Sequence, residues 1–313
     1  MFKDKKVLVA GGFGLIERQL IGILLKRGAT VSVADLKNAE INDVEHFQLD
    51  LTNYENCLTV CEGVDYVFNL LCAKGSPQAM KERPASHFDP MLLFNTNLMR
   101  AAKEAGVKKY LYTSTLGVYA PAPVFYEDDV WKTHPSENDR FAGWAKRIGE
   151  LQAQAYQIQY GWDDISIVRP ANTYGPYDDF DSDSAMVVPS LIKKALSGHT
   201  PLVVWGDGSN IRDFIHSVDV AIGILVSMER SLGPTKPINL GSGVGYSIKQ
   251  LLEIILSNVD SPPDVLWDTN KTTGDTIRVL DTARAQSIGF VPTISLEDGI
   301  KDLIKWYKNN ESI

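Results

Sequence analysis

Three glycines, Gly11, Gly12 and Gly14, stand where a short apolar run from Lys6 to Ala10 gives way to Leu15, Ile16, Leu20, Ile21, Leu24 and Leu25 at helical spacing. Glycines at such a junction let the backbone turn tightly and approach a diphosphate aimed at the helix N-terminus. Asp35 follows 21 residues after Gly14, at the end of the next apolar run, and a carboxylate there suits hydrogen bonds to the hydroxyls of an adenosine ribose. The same charge repels a 2′-phosphate, so the pattern points to NAD rather than NADP. Asp50-Leu51 and Leu70-Leu71-Cys72-Ala73 close the third and fourth apolar runs, at strand ends where open α/β sheets bind ligands. Spacing alone leaves each open between a cofactor contact and the start of a loop.

For these groups to meet, the strands that carry them must lie side by side. Gly28 after Lys26-Arg27 ends the first helix and Thr30–Asp35 reads as the second strand, which gives a β-α-β unit. Further strands are expected at 45–49, 66–71, 109–113 and 165–169, with helices before Gly106 and from about 145 to 160. Strands alternating with helices argue for an α/β fold, a parallel sheet covered on both faces. After Pro170 the texture changes. Loops rich in Asp, Pro and Gly surround a helix at 189–196, and the last third mixes short strands with amphipathic helices near 248–256 and 296–308. This reads as a smaller C-terminal substrate lobe.

Bulk properties exclude several classes. No apolar run in the 313 residues approaches the roughly 20 needed to span a bilayer, so a membrane protein is not expected. Met1 to Lys6 lead straight into a strand without a secretory signal, which points to the cytoplasm. The three cysteines, Cys57, Cys61 and Cys72, are an odd number without metal-ligand spacing, so neither a disulfide framework nor a metal site is expected. Cys57 and Cys61 are placed on one helix face. A formal net charge of −8 gives no general attraction to nucleic acid or anionic lipid, and an anionic ligand would need specific arginines or helix N-termini.

Tyr112-Thr113-Ser114-Thr115-Leu116-Gly117-Val118-Tyr119-Ala120, then Lys146, Arg169-Pro170-Ala171-Asn172-Thr173-Tyr174-Gly175-Pro176, and Gly206-Asp207-Gly208 leading to Arg212-Asp213-Phe214-Ile215-His216 form an ordered set. From Val7 to about Tyr307 the chain resembles the extended short-chain dehydrogenase/reductases that act on nucleotide sugars. The resemblance implies a Rossmann-type doubly wound sheet over residues 1–171, with parts of 207–240 returning to it. Residues 172–206 and 241–313 would form the nucleotide-sugar lobe. It implies NAD contacts at Gly11, Phe13, Gly14, Leu15, Ile16, Asp35, Asp50, Leu51, Leu71, Cys72, Ala73, Thr113, Lys146 and Pro170. It implies substrate contacts at Lys74, Thr115, Asn172, Val188, Arg212 and Arg278, where guanidinium groups suit a diphosphate. A surface ion pair is the plainer role for the two arginines, and a solvated helix face the plainer one for Lys146-Arg147. His216 is expected to be structural, and Asn239-Leu240-Gly241-Ser242-Gly243 is either the turn beside the nucleotide or a connection only.

In that family a Ser or Thr at the position of Thr115 hydrogen-bonds the sugar hydroxyl being oxidised. The lysine at the position of Lys146 binds the nicotinamide ribose and lowers the pKa of a tyrosine four residues earlier. That earlier position is Ala142. Positioned acid–base catalysis is typically worth about 10²–10⁴-fold, so the missing phenol bears directly on turnover; a water or Tyr126 is a candidate substitute. A second departure is Glu17, where a third glycine is usual. Its carboxylate either opposes the cofactor diphosphate or tilts into solvent and suits the helix dipole.

Segments 174–180 and 72–75 are similar to those of GDP-fucose synthase and its GDP-sugar relatives, so a GDP-linked sugar is favoured. The Cys and His that serve double epimerisation there correspond to Gly117 and Met186. What remains is hydride transfer at carbon 4, by a 4-epimerase, a 4-dehydrogenase or a 4-ketosugar reductase. Ala142 leaves two other readings: a catalytically silent NAD and nucleotide-sugar binding protein, or an alanine introduced into an otherwise active enzyme. Dimerisation through two helices, around 97–104 and 145–156, is expected by analogy.

Overall fold

The computed structural model describes residues 1–38, 41–73, 82–180, 185–271 and 274–310; Lys74 lies outside them. The chain opens with β1 (Lys6–Ala10), α1 (Leu15–Lys26), β2 (Thr30–Asp35), β3 (Val44–Gln48), α2 (Tyr54–Cys61), β4 (Tyr66–Asn69), α3 (Ala85–Glu104), β5 (Lys109–Thr113), α4 (Arg140–Tyr160) and β6 (Ile165–Pro170). With β10 (Ile238–Leu240) these strands form a seven-stranded sheet, ordered β10-β6-β5-β4-β1-β2-β3 and parallel throughout. β4 and β6 are buried along their whole length, as a parallel sheet covered on both faces requires. One face packs α1 and α6 (Ser217–Glu229) through Leu20, Ile21, Leu24, Ile224 and Leu225. The other packs α2, α3 and α4 through Cys57, Cys61, Leu98, Met99 and Ala153.

From β1 the order runs outward through β2 and β3, and on the other side through β4, β5 and β6. The reversal between β1 and β4 opens a crevice at the carboxyl ends of the strands, the position where folds of this kind bind ligands.

A smaller lobe holds β7 (Asn172–Tyr174), β9 (Ile211–His216), β11 (Gly245–Ser247) and β13 (Ile277–Arg278) in one sheet. β8 (Leu202–Trp205) pairs with β12 (Val265–Asp268) in another. α5 (Val187–Leu196), α7 (Ile248–Leu256) and α9 (Leu296–Asn310) close its core around Leu191, Leu252, Ile255, Ile300 and Leu303, while α8 (Ala283–Ser287) places Ala285 in the core of the large sheet. Thus β9 joins the lobe's sheet, whereas α6 and β10 return to the large one.

Several elements differ from the sequence expectation, β3 and α5 by one or two residues at their ends. α4 starts at Arg140, five residues earlier than 145, because a 3-10 turn at Glu137–Asp139 runs directly into it. α6 has no counterpart in that expectation. Its segment from Val218 to Val226 is almost continuously apolar, and such a run does not distinguish a buried helix from a strand. The fourth strand also ends two residues early, at Asn69, whose Oδ1 accepts from Leu71 N at 3.1 Å and turns the chain.

Candidate active site

The glycine turn lies at the crevice mouth. Gly11 has φ +84°, and a Cβ there would meet the Leu70–Leu71 backbone at 3.4 Å. Gly12 is packed against Val33, so no side chain fits. Gly14 caps α1 without a side-chain bond, and the amides of Leu15, Ile16 and Glu17 have no carbonyl behind them in the helix. The Leu15 side chain is buried and Ile16 packs on the core, so their contacts to a ligand run through the backbone. Phe13 rests edge-on against His46, 5.0 Å between centroids, and under the Arg18 guanidinium.

Asp35 ties the turn to β2. Its Oδ2 accepts from Gly12 N and its Oδ1 from Lys37 N, both at 2.9 Å, which leaves lone pairs for ribose hydroxyls. Asp50 is engaged within its own loop, accepting from Thr52 N and Oγ1, and Leu51 is buried behind it.

Lys146 is 3% exposed, and its Nζ donates to Leu71 O at 2.9 Å and Thr113 O at 2.7 Å. It therefore bridges the carboxyl ends of β4 and β5. Burial pulls its pKa below the ordinary lysine value, against the opposing charges of Glu150 and Glu17. Arg147 is buried as well, donating to Val118 O and Thr133 O, and burial lowers it to about 10. The solvated-face reading of this pair is thus corrected: both cations are held inside by carbonyls. Cys72 is exposed, Ala73 half-buried and Pro170 buried at the end of β6.

Thr115 follows β5. Its Oγ1 accepts from Gly117 N at 3.2 Å, and its hydroxyl proton remains available to a ligand. Ala142 lies one helical turn before Lys146, half-buried against the α3–α4 side of the core. Tyr126 is 50% exposed on the loop before α4.

Glu17 bends back over the glycine turn. A Cβ on Gly14 would run into its carboxylate, and its charge acts on Lys146. The bare turn, Asp35 and the Lys146 bridge fit a dinucleotide, while Glu17 reaches into the same space.

On the lobe side, Arg212 and Arg278 are in register across β9 and β13. Arg278, 13% exposed, pairs with Asp275 at 2.6 Å and Asp139 at 2.5 Å, so its charge is already met by carboxylates. Arg212 donates to Ile211 O at 2.8 Å and Thr276 O, and burial together with Arg278 lowers it to about 10. Asn172 Nδ2 donates to Asp213 O at 2.9 Å. The Val188 side chain is in the lobe core, which leaves only its backbone for a ligand. Met186 caps α5 in the open and Gly117 is buried, so neither position offers a thiol or an imidazole.

His216 accepts from Val218 N at the start of α6 and is buried against Tyr174, which lowers its pKa. Sequence reasoning missed the role of Asp213, which is buried and accepts from Ser242 N and Oγ, Gly243 N and Leu280 N. The Ser242-Gly243 turn is therefore anchored by an acid whose only local signal is its place after Arg212.

The profile of the NAD dependent epimerase/dehydratase family matches residues 7–241. GDP-L-fucose synthase 1 of Arabidopsis thaliana is 32% identical over 317 residues, covering 98% of this chain and 94% of the plant protein. The structure of UDP-N-acetylglucosamine 4-epimerase from Methanobrevibacter ruminantium, in complex with UDP-N-acetylmuramic acid, superposes with a TM-score of 0.88 at 25% identity, over 99% of this chain and 100% of that one. UDP-glucose 4-epimerase of Thermus thermophilus, solved with NAD, gives 0.82 at 24% identity, over 97% and 99%. With a parallel sheet that reverses at a glycine turn and a lysine bridge beside it, the chain belongs to the NAD-dependent epimerase/dehydratase family.

Proposed function

We propose that this chain moves hydride between NAD and carbon 4 of a nucleotide sugar, with a GDP-linked sugar as substrate. One observation carries the reading: a buried lysine pinned to Leu71 O and Thr113 O, with the Thr115 hydroxyl two residues beyond the second of those carbonyls. NAD, when bound, supplies the hydride acceptor. Lys146 holds its positive charge at the crevice and positions the ribose. Thr115 orients the carbon-4 hydroxyl, and Asp35 binds the adenosine ribose. Arg212, whose acceptors are carbonyls, takes the sugar diphosphate, and Arg278 lies in register beside it, its own charge held by Asp275 and Asp139. Residues 1–171, with α6 and β10, form the cofactor domain, and 172–206 with 241–313 the sugar lobe.

The preference for GDP is supported by full-length similarity to a protein named GDP-L-fucose synthase. Gly117 and Met186 argue against epimerisation at carbons 3 and 5. A 4-epimerase would return the hydride to the other face of the ketone, whereas a dehydrogenase or reductase would release the sugar. Ala142 favours a second reading, a binder without turnover. Titration of GDP-, UDP-, CDP- and dTDP-sugars against the NAD-loaded protein, with absorbance read at the NADH band and products by mass spectrometry, tests the reading. A response confined to GDP-sugars supports it, and binding of all four without conversion supports the silent binder.

Asp35→Ala is expected to weaken NAD binding by roughly ten- to hundredfold, since hydrogen bonds to a charged group contribute about 1.5–3 kcal/mol. Calorimetric titration with NAD checks it, and an unchanged Kd would remove Asp35 from the cofactor site.

We also propose a cytoplasmic homodimer. The three cysteines are free thiols, and α3 and α4, which lie side by side, expose Leu93 (50%) and Leu151 (54%). Among the described residues no helix is long and apolar enough to cross a membrane. Leu151→Glu is expected to halve the mass seen by light scattering; an unchanged mass would place any dimer contact elsewhere.

A further inference from the structure

We propose that Glu17 competes with the dinucleotide from within the chain: its carboxylate sits in the approach that a diphosphate needs, and the cofactor binds only after that side chain swings out. The inference rests on the dinucleotide reading above. A diphosphate reaches the start of a helix such as α1 because the glycines ahead of it leave the backbone bare. Here Gly14 is bare, yet what a Cβ on Gly14 would strike is the Glu17 carboxylate. The space in front of the turn is therefore filled by the chain's own anion.

A carboxylate in the first helical turn is also the group that the positive end of α1 attracts. A diphosphate must replace that interaction as well as displace the side chain. The Glu17 carboxylate folds back against Gly14 instead of pointing away from the turn. Lys146 itself is fixed by Leu71 O and Thr113 O and cannot move aside with it. The part that must move is the Glu17 side chain, at a half-buried position. NAD is thus held weakly and exchanges with solution rather than remaining as a resident group.

Isothermal titration of the full-length chain with NAD and with ADP-ribose, for wild type, Glu17→Gln and Glu17→Gly, tests this. Glu17→Gly is expected to tighten both ligands at least about tenfold, equivalent to about 1.4 kcal/mol. Glu17→Gln, which keeps the bulk and removes the charge, should give a smaller gain. Thermal midpoints without ligand verify that the variants fold, and the Gln variant preserves the test should the Gly variant lose its helix start. Equal affinities across the three proteins would overturn the proposal, as would a gain for NAD without one for ADP-ribose, because the effect would then lie at the nicotinamide end. Failure of all three to bind either NAD or ADP-ribose, with a nucleotide sugar still bound, would overturn the dinucleotide reading together with it.

Discussion

Ala142→Tyr is expected to raise kcat by about 10²–10⁴-fold, the usual contribution of a positioned acid–base group. The position is one helical turn before Lys146, so a phenol there would lie on the same helix face. The lysine's charge would then draw the phenol pKa down toward neutrality. In the proposed reaction with Ala142 in place, the alcohol proton leaves to water or to Tyr126, which is 50% exposed. Ala142→Phe separates chemistry from packing, since it adds the ring without the hydroxyl and is expected to give no gain. The Tyr variant should also acquire a kcat/KM that rises with pH through the lowered phenol pKa. Equal rates for the Tyr and Phe variants would show that proton transfer does not limit turnover.

Glu150→Ala is expected to destabilise the chain by about 3–5 kcal/mol, because it leaves a buried guanidinium unpaired. Glu150 on α4 and Arg169 on β6 have fully buried side chains and meet through Nη2–Oε2 at 2.6 Å and Nε–Oε1 at 2.9 Å. Burial works against the Arg169 charge, and the Glu150 carboxylate overrides it, holding the pKa above the ordinary arginine value. Ser114 Oγ donates to the same carboxylate, and Arg169 Nη1 donates to Tyr119 Oη and Glu127 O. The pair therefore fixes the segment that leads into Thr115. Thermal denaturation should show a loss of roughly five to eight degrees, at about 1.5 degrees per kcal/mol for a chain of 313 residues. The double variant Glu150→Met with Arg169→Met, which removes both charges, should recover part of it. A single-variant loss below about 1 kcal/mol, the range of an exposed pair, would contradict the account.

What is legible in the sequence is local. The large sheet can be read because most of its strands are short apolar runs between helical stretches, and the glycine turn after β1 with Asp35 at the end of β2 marks the crevice by residue type and spacing. α6 cannot be read, since apolar residues on every side erase the 3.6-residue period. The site is legible in its residue types and not in their partners. Arg278 looks like a cation waiting for phosphate, yet its carboxylates come from Asp275, nearby, and from Asp139, 139 residues away. Lys146 and Arg147 look like a solvated pair, yet both end on backbone carbonyls, which carry no sequence signal. Glu17 admits two orientations from sequence, because a side-chain direction depends on what faces it across the crevice.

The most direct test of carbon-4 chemistry is isotopic: a GDP-sugar deuterated at carbon 4 is incubated with NAD and the native chain, and in parallel with Ala142→Tyr. Deuterium is expected on the nicotinamide ring, or back on carbon 4 of a product with inverted configuration, slowly in the native chain and faster in the variant. Deuterium that stays at carbon 4 of unchanged substrate in both proteins, with the sugar nucleotide bound, would contradict hydride transfer and leave a binding protein in its place.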